Sequence, residues 1–130
     1  MSDQNQSQVL EYKILMQQMQ KLQQNVGNLD EHIHELKRIQ ENIEALEKTS
    51  KGTETLIPVG SGLFFKGTIE ETQTLLMNIG SNICVEKTSQ EALHTVTKQL
   101  EDVENLITEL EQEATETAQR LEELKQEMNE

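Results

Sequence analysis

Aromatic side chains are almost missing from this chain: they make up 2% of its 130 residues, with no Trp, two Phe and one Tyr. Hydrophobic residues reach only 34%. That scarcity excludes a large globular core, because the surface buried on folding has to come from such side chains. A lone cysteine, Cys84, excludes an internal disulfide. Its place between Ile83 and Val85 predicts a small buried hydrophobe rather than a nucleophile. No stretch approaches the ~20 apolar residues of a membrane span, and Met1 to Gln8 carries no basic or apolar leader block. Both point to a cytoplasmic protein. Basic residues are scarce as well, 11 Lys and Arg against 24 Asp and Glu, for a net charge of −13. Nucleic acid and anionic membranes recruit clustered Lys and Arg, so neither is an expected partner.

What is present falls into three segments. Glu, Gln, Lys and Leu dominate both ends, whereas Gly, Val, Ile and both Phe residues crowd the middle, giving 1–49, 50–88 and 89–130 within one domain. In the first segment Tyr12, Leu15, Met19, Leu22, Val26, Leu29, Ile33 and Leu36 recur in steps of three and four, the seam of a left-handed coiled coil. After Leu36 the phase is ambiguous. Ile39, Ile43 and Leu46 require a local overwinding, and strict phase puts Gln40 and Glu47 in the seam instead. The last segment keeps phase from Leu93 through Val96, Leu100, Val103, Ile107, Leu110, Ala114, Thr117, Leu121 and Leu124 to Met128. Ser89 is its expected N-cap. From Glu91 onward its acids meet only Lys98, Arg120 and Lys125, which reads as a docking surface or as the solvated face of a helix.

Each helix would extend roughly 60 Å at 1.5 Å per residue. The first delivers the chain to the middle segment and the second leaves from it, so paired helices run antiparallel. In that register Leu36 lies near Leu100, and Ala114, Thr117 and Ala118 face Met16, Met19 and Leu22.

Between Glu54 and Lys87 the period shifts toward two. Leu56–Val59, Leu63–Ile69, Leu75–Ile79 and Ile83–Val85 read as strands. Gly60-Ser61-Gly62 and Gly80-Ser81-Asn82 separate them, as residues that tolerate the positive φ of tight turns. Two consecutive hairpins follow, with Pro58 confined to an edge, a bulge or a strand start. Leu63, Phe65 and Ile69 share one face of their strand and Phe64 the other. Ile57 with Val59, Leu75 with Met77 and Ile79, and Ile83 with Val85 form further apolar sets. So short a segment cannot bury a core, and its edges invite other strands. These residues are therefore the expected oligomerisation surface. The fold class is α+β: a long antiparallel coiled-coil hairpin with two inserted β-hairpins that contribute to an oligomeric β-barrel.

The order helix, Leu56-Ile57-Pro58-Val59-Gly60-Ser61-Gly62-Leu63-Phe64-Phe65-Lys66-Gly67, Asn78-Ile79-Gly80, Val85-Glu86-Lys87-Thr88, helix resembles the alpha subunits of prefoldin. Asn82 stands where such chains often carry a second turn Gly. The resemblance implies a hexamer of two alpha and four beta subunits, an ATP-independent chaperone that binds unfolded proteins at the coil tips and delivers them to a group II chaperonin. The tips carry matching chemistry. Val9, Leu10, Tyr12 and Ile14 are apolar nearly all round the first helix, opposite Leu121, Leu124 and Met128, more apolar surface than one seam covers. A homo-oligomeric holdase and a structural coiled-coil scaffold are the competing readings.

Other signals do not survive inspection. Gly60-x-Gly62 with Lys66-Gly67 enters a strand, whereas a phosphate loop enters a helix. His32 and His34 point to different helix faces and His94 stands apart, so no metal site is expected. No nucleophile, base and orienting group occur together, which predicts no enzyme and no cofactor.

Overall fold

The computed structural model describes residues 3–129; residues 1, 2 and 130, the outer limits of the expected segments, lie outside them. The elements run α1 (Asp3–Glu47), β1 (Glu54–Gly60), β2 (Leu63–Thr68), β3 (Thr74–Gly80), β4 (Ile83–Thr88) and α2 (Ser89–Asn129). By contact the chain divides into two units. One combines residues up to 34 with those from 101, and the other spans 35–100.

In the first unit, two helix segments run antiparallel. Gln8 donates from Nε2 to Glu127 Oε2 at 3.0 Å, and Glu11 receives Arg120, so rising numbers on α1 meet falling numbers on α2. Leu22, Ile107, Thr117 and Leu124 are buried, and the intervening seam positions are half-buried. The 3–4 spacing causes this, because it keeps one stripe facing the partner helix. Thr117, the polar member, satisfies its hydroxyl by donating to the Glu113 carbonyl at 2.9 Å. Met16 and Ala118, expected to pack against seam neighbours, are exposed instead. Neither lies on the 3–4 stripe.

Arg120 fastens the two helices. Its Nε donates to Glu11 Oε1 at 2.9 Å, its Nη2 to Oε2 at 3.2 Å, and its Nη1 to Glu123 at 3.3 Å. The hydrogen bond from the guanidinium, aided by its charge, lowers the Glu11 pKa. The same contacts raise that of Arg120.

The second unit settles the ambiguous phase of α1. Ile43 is buried, Gln40 is half-buried and Ile39 is exposed, so the helix keeps its strict period and takes a glutamine into the seam. Gln40 Nε2 donates to Thr97 Oγ1 across the pair at 3.1 Å. A satisfied polar pair costs less than the overwinding that Ile39 would demand. Thr49 closes α1, its hydroxyl donating to the Ala45 carbonyl at 2.7 Å. At the start of α2 the cap is Thr88 and not Ser89. Thr88 Oγ1 accepts the Glu91 N–H at 3.1 Å, while Ser89 is buried and donates from Oγ to the Thr72 carbonyl. Thr88 with Glu91 has the Thr-x-x-Glu spacing of a capping box.

Each hairpin is a separate two-stranded antiparallel sheet. Ser61 and Gly62, and Ser81 and Asn82, all have positive φ, as two-residue turns that follow strand twist require. Asn82, at φ 62°, serves where glycine would. Each first strand carries a bulge just before its turn, between Pro58 and Gly60 and between Asn78 and Gly80. The two hairpins are one design used twice.

Two outcomes follow. Leu124→Ala, at a fully buried position, should cost about 2–5 kcal/mol in urea unfolding, whereas Leu10→Ala should stay within about 0.5 kcal/mol. For Glu11, a lowered folded-state pKa means that the pair stabilises at neutral pH and loses that contribution as pH falls through the depressed value. Acid also relieves repulsion among the Glu residues of α2, so the comparison must be with Glu11→Gln. The melting difference between wild type and Glu11→Gln should be largest near neutrality and shrink as pH falls through the depressed value. A pH-independent difference would deny the ion pair its role.

Candidate functional site

Two apolar surfaces stand out, one in each unit. In the first unit the α1 turns before the seam becomes continuous present Val9, Leu10 and Ile14 to solvent, with Leu10 60% exposed. Leu10 and Ile14 are four apart and so share a helix face, and Val9 borders it. Gln6, Val9, Leu10 and Lys13 line a shallow concavity there. Tyr12, Leu121 and Met128 are half-buried in the seam, and Leu124 has no exposure at all. The seven expected tip residues thus divide by helix face. Val9, Leu10 and Ile14 are presented directly; Leu124 is reachable only where the helices part. Glu11 and Arg120 sit beside these residues in sequence and hold the pair closed.

In the second unit the hairpins expose what a core would hide. Ile57, Val59, Leu63, Phe64, Phe65, Ile79 and Ile83 are exposed, Phe65 to 65%, and Ile69, Leu75, Met77 and Val85 are half-buried. The pairing Leu56↔Lys66 and Pro58↔Phe64 puts Leu56, Pro58 and Phe64 on one face of the first hairpin. Ile57 and Phe65, directly paired, share the other. Both faces are therefore apolar. Along β2 alone the Phe64 face reads as mixed, because Lys66 and Thr68 follow Phe64. The cross-strand neighbours Leu56 and Pro58 change that reading. Gly67 leaves room for Ile57: an added Cβ would stand 2.9 Å from Ile57 Cδ1.

Leu56 and Leu76, 59% and 76% exposed, join this surface although neither is in the expected oligomerisation set. The signal was their place in the β-favouring runs; the opposite phase hid it. Cys84 is exposed on β4 rather than buried, since a two-stranded sheet offers nothing to bury it against. Among the described residues no three His, Cys, Asp or Glu side chains gather as a metal site, and no helix is long and apolar enough to cross a membrane.

Comparison with known proteins agrees with this architecture. A family model described as prefoldin subunit matches residues 15–130. Prefoldin subunit alpha of Methanococcus maripaludis is 33% identical over 104 residues, covering 80% of this chain and 70% of that protein. Prefoldin subunit alpha of Pyrococcus horikoshii is 32% identical over 124 residues, 89% of this chain and 84% of that one. Among solved structures, a chain from the cryo-EM structure of filamentous PFD from Methanocaldococcus jannaschii matches with a TM-score of 0.78 at 25% identity, covering 90% of this chain and 97% of that chain. Two hairpins between two long helices are thus shared with proteins of known class, and this chain belongs to the prefoldin family, its relatives there being alpha subunits.

Proposed function

We propose that this chain is the alpha subunit of an ATP-independent chaperone complex that holds unfolded proteins at its coiled-coil tips and passes them to a group II chaperonin. Prefoldin family members are chaperone subunits that assemble as oligomers. The observation that carries the finer reading is the exposure of Val9, Leu10 and Ile14 on a helix whose seam is already filled. Apolar side chains outside the seam add nothing to the coil, but they match the apolar segments that unfolded chains expose. Tyr12, Leu121, Leu124 and Met128 would extend that surface if the helices part locally. Met128 and the exposed Met16 can re-pack against varied sequences because their side chains are unbranched and flexible.

The hairpins would supply assembly. Ile57, Val59, Leu63, Phe64, Phe65, Ile69, Leu75, Met77, Ile79, Ile83 and Val85 would be covered by beta subunits in a complex of two alpha and four beta chains. In this division segments 1–49 and 89–130 form the arms and 50–88 the joint. The expected setting is the cytoplasm, and no cofactor or catalytic step is involved. A second reading, a homo-oligomeric holdase, is favoured by the fold shared with a chain of filamentous PFD. Native mass measurement of the chain alone and with a prefoldin beta subunit separates the two.

The functional test uses Leu10→Glu combined with Ile14→Glu in a complex of verified mass. Both residues are exposed, so assembly should be unchanged. Suppression of aggregation of a chemically denatured client should then need several-fold more complex, while a Gln18→Glu control, also exposed and in the same unit, should behave as wild type. Undiminished protection by the double variant would refute client binding at this surface.

A further inference from the structure

One guanidinium stands among three carboxylates at the tip of the first unit. From Glu109 to Glu127 α2 carries seven glutamates and two cations, Arg120 and Lys125. It is Arg120 that reaches α1. It bonds Glu11 across the pair at 2.9 Å, and on its own helix it lies 3.3 Å from Glu123 and 3.8 Å from Glu127. Gln8 also donates to Glu127 from α1. Helical spacing explains the gathering: Arg120, Glu123 and Glu127 follow one another in steps of three and four and so share a face, and the antiparallel register brings Glu11 to it. Without the guanidinium, Glu11 would confront Glu123 and Glu127 with no charge between them. The contact across the helices would then change sign, from attraction to repulsion, which is more than the loss of one surface ion pair.

Just inside the clasp the seam is thin. Its positions between Leu110 and Leu121 are Ala114 and Thr117, one small side chain and one polar, which bury less apolar area than the leucines on either side. Thr115 and Thr117 also donate their hydroxyls to the Glu111 and Glu113 carbonyls, at 3.0 and 2.9 Å. Such back-bonding weakens and bends a helix. Tipward of this layer lie half-buried Leu121 and Met128 and fully buried Leu124, while inward of it Ile107 and Leu22 are buried. A thin layer of seam thus separates a tip fastened by Arg120 from an arm closed by packed apolar side chains.

We propose that Arg120 is the positioning residue that sets how much apolar surface the tip offers to an unfolded chain. With the clasp shut the tip offers Val9, Leu10 and Ile14; with it open, Leu121 and Leu124 join them, and the opening stops at the Ala114–Thr117 layer. The inference rests on the proposed binding of unfolded proteins at the tip and adds the residue that limits it. Arginine suits the task because its planar fork takes both oxygens of Glu11 and leaves Nη1 for Glu123. Both partners of the clasp stay in contact with water, so it shuts the tip without locking it.

The test uses the assembled complex, of verified mass, with methyl-labelled leucine and isoleucine and a soluble paramagnetic probe whose effect on each methyl reports access to solvent. Arg120→Gln should raise that effect at Leu121 and Leu124 about fivefold or more and leave Leu22 and Ile107 as in wild type. Glu11→Gln should act with opposite signs: alone it loosens the tip, and added to Arg120→Gln it closes the tip again in part, because it removes the repulsion. Arg120→Lys, which keeps the charge and loses the fork, should fall between wild type and Arg120→Gln. The open tip should also suppress aggregation of a denatured client at several-fold less complex. Leu124 still sealed in Arg120→Gln would overturn the clasp, and Leu22 and Ile107 loosened as much as Leu124 would reduce Arg120 to a general stabiliser. An exposed Leu124 with an unchanged protection curve would overturn its positioning role, while binding at the tip would stand if Leu10→Glu with Ile14→Glu still weakened protection. Protection indifferent to both sets of substitutions would overturn the tip reading itself.

Discussion

A two-stranded sheet has two faces and two open edges, and neither hairpin of this chain covers its own. That constraint organises the middle of the molecule. Phe64 and Phe65 point to opposite faces of β2 and are both more than half exposed, so no single layer of neighbouring side chains could bury them together. Burial of apolar area is the main favourable term in folding, and here much of it is left undone within one chain. The tight turns at Ser61-Gly62 and Ser81-Asn82 set local register, but register is not a core. The segment is specified in shape before it is stabilised in full. Membership of a family whose members assemble as oligomers is the physical complement of that unfinished state.

The helices solve a different problem with different means. Within each unit the seam positions are buried or half-buried, and in the second, where apolar residues fail to keep phase, a polar pair, Gln40 with Thr97, takes the place. Buried Leu22, Ile107 and Leu124 close the first unit, and Arg120 adds a two-pronged clasp on Glu11. Because the clasp is about 40% exposed, it acts as an adjustable fastening more than as a main source of stability. Next to it in sequence lie Leu10 and Ile14, apolar residues the seam does not use. A helix pair that is well filled inside is here still apolar outside.

Much of this was legible in the residues. The heptad stripe of α2 from Leu93 to Met128 appears as read, because a sustained 3–4 period has one structural solution. Both hairpins and their turns follow from Gly and Asn at positions needing positive φ. What stayed hidden depends on partners across space. Strict phase at Gln40 could not be chosen without Thr97 opposite. The cap at Thr88 was masked because Ser89 is an equally good capping residue, and only the Thr72 carbonyl beyond it decides where its hydroxyl points. Cys84 looked like core by its neighbours, yet a strand with no sheet behind it has no core to join. At the tip, the seam phase already set Tyr12, Leu121, Leu124 and Met128 apart from Val9, Leu10 and Ile14, and the exposure of Leu10 and burial of Leu124 follow that division.

The central claim is that the hairpin faces are uncovered in one chain and covered by neighbours. Phe64 and Phe65 are the two phenylalanines of the sequence, so fluorine-labelled phenylalanine gives one resonance for each face of the first hairpin. Solvent-isotope shifts should show both rings in contact with water in the dilute monomer, as their exposure of more than half requires, with Phe65 losing that contact when the complex assembles. A Phe65 resonance already shielded from solvent in the monomer, and unchanged on assembly, would contradict the account.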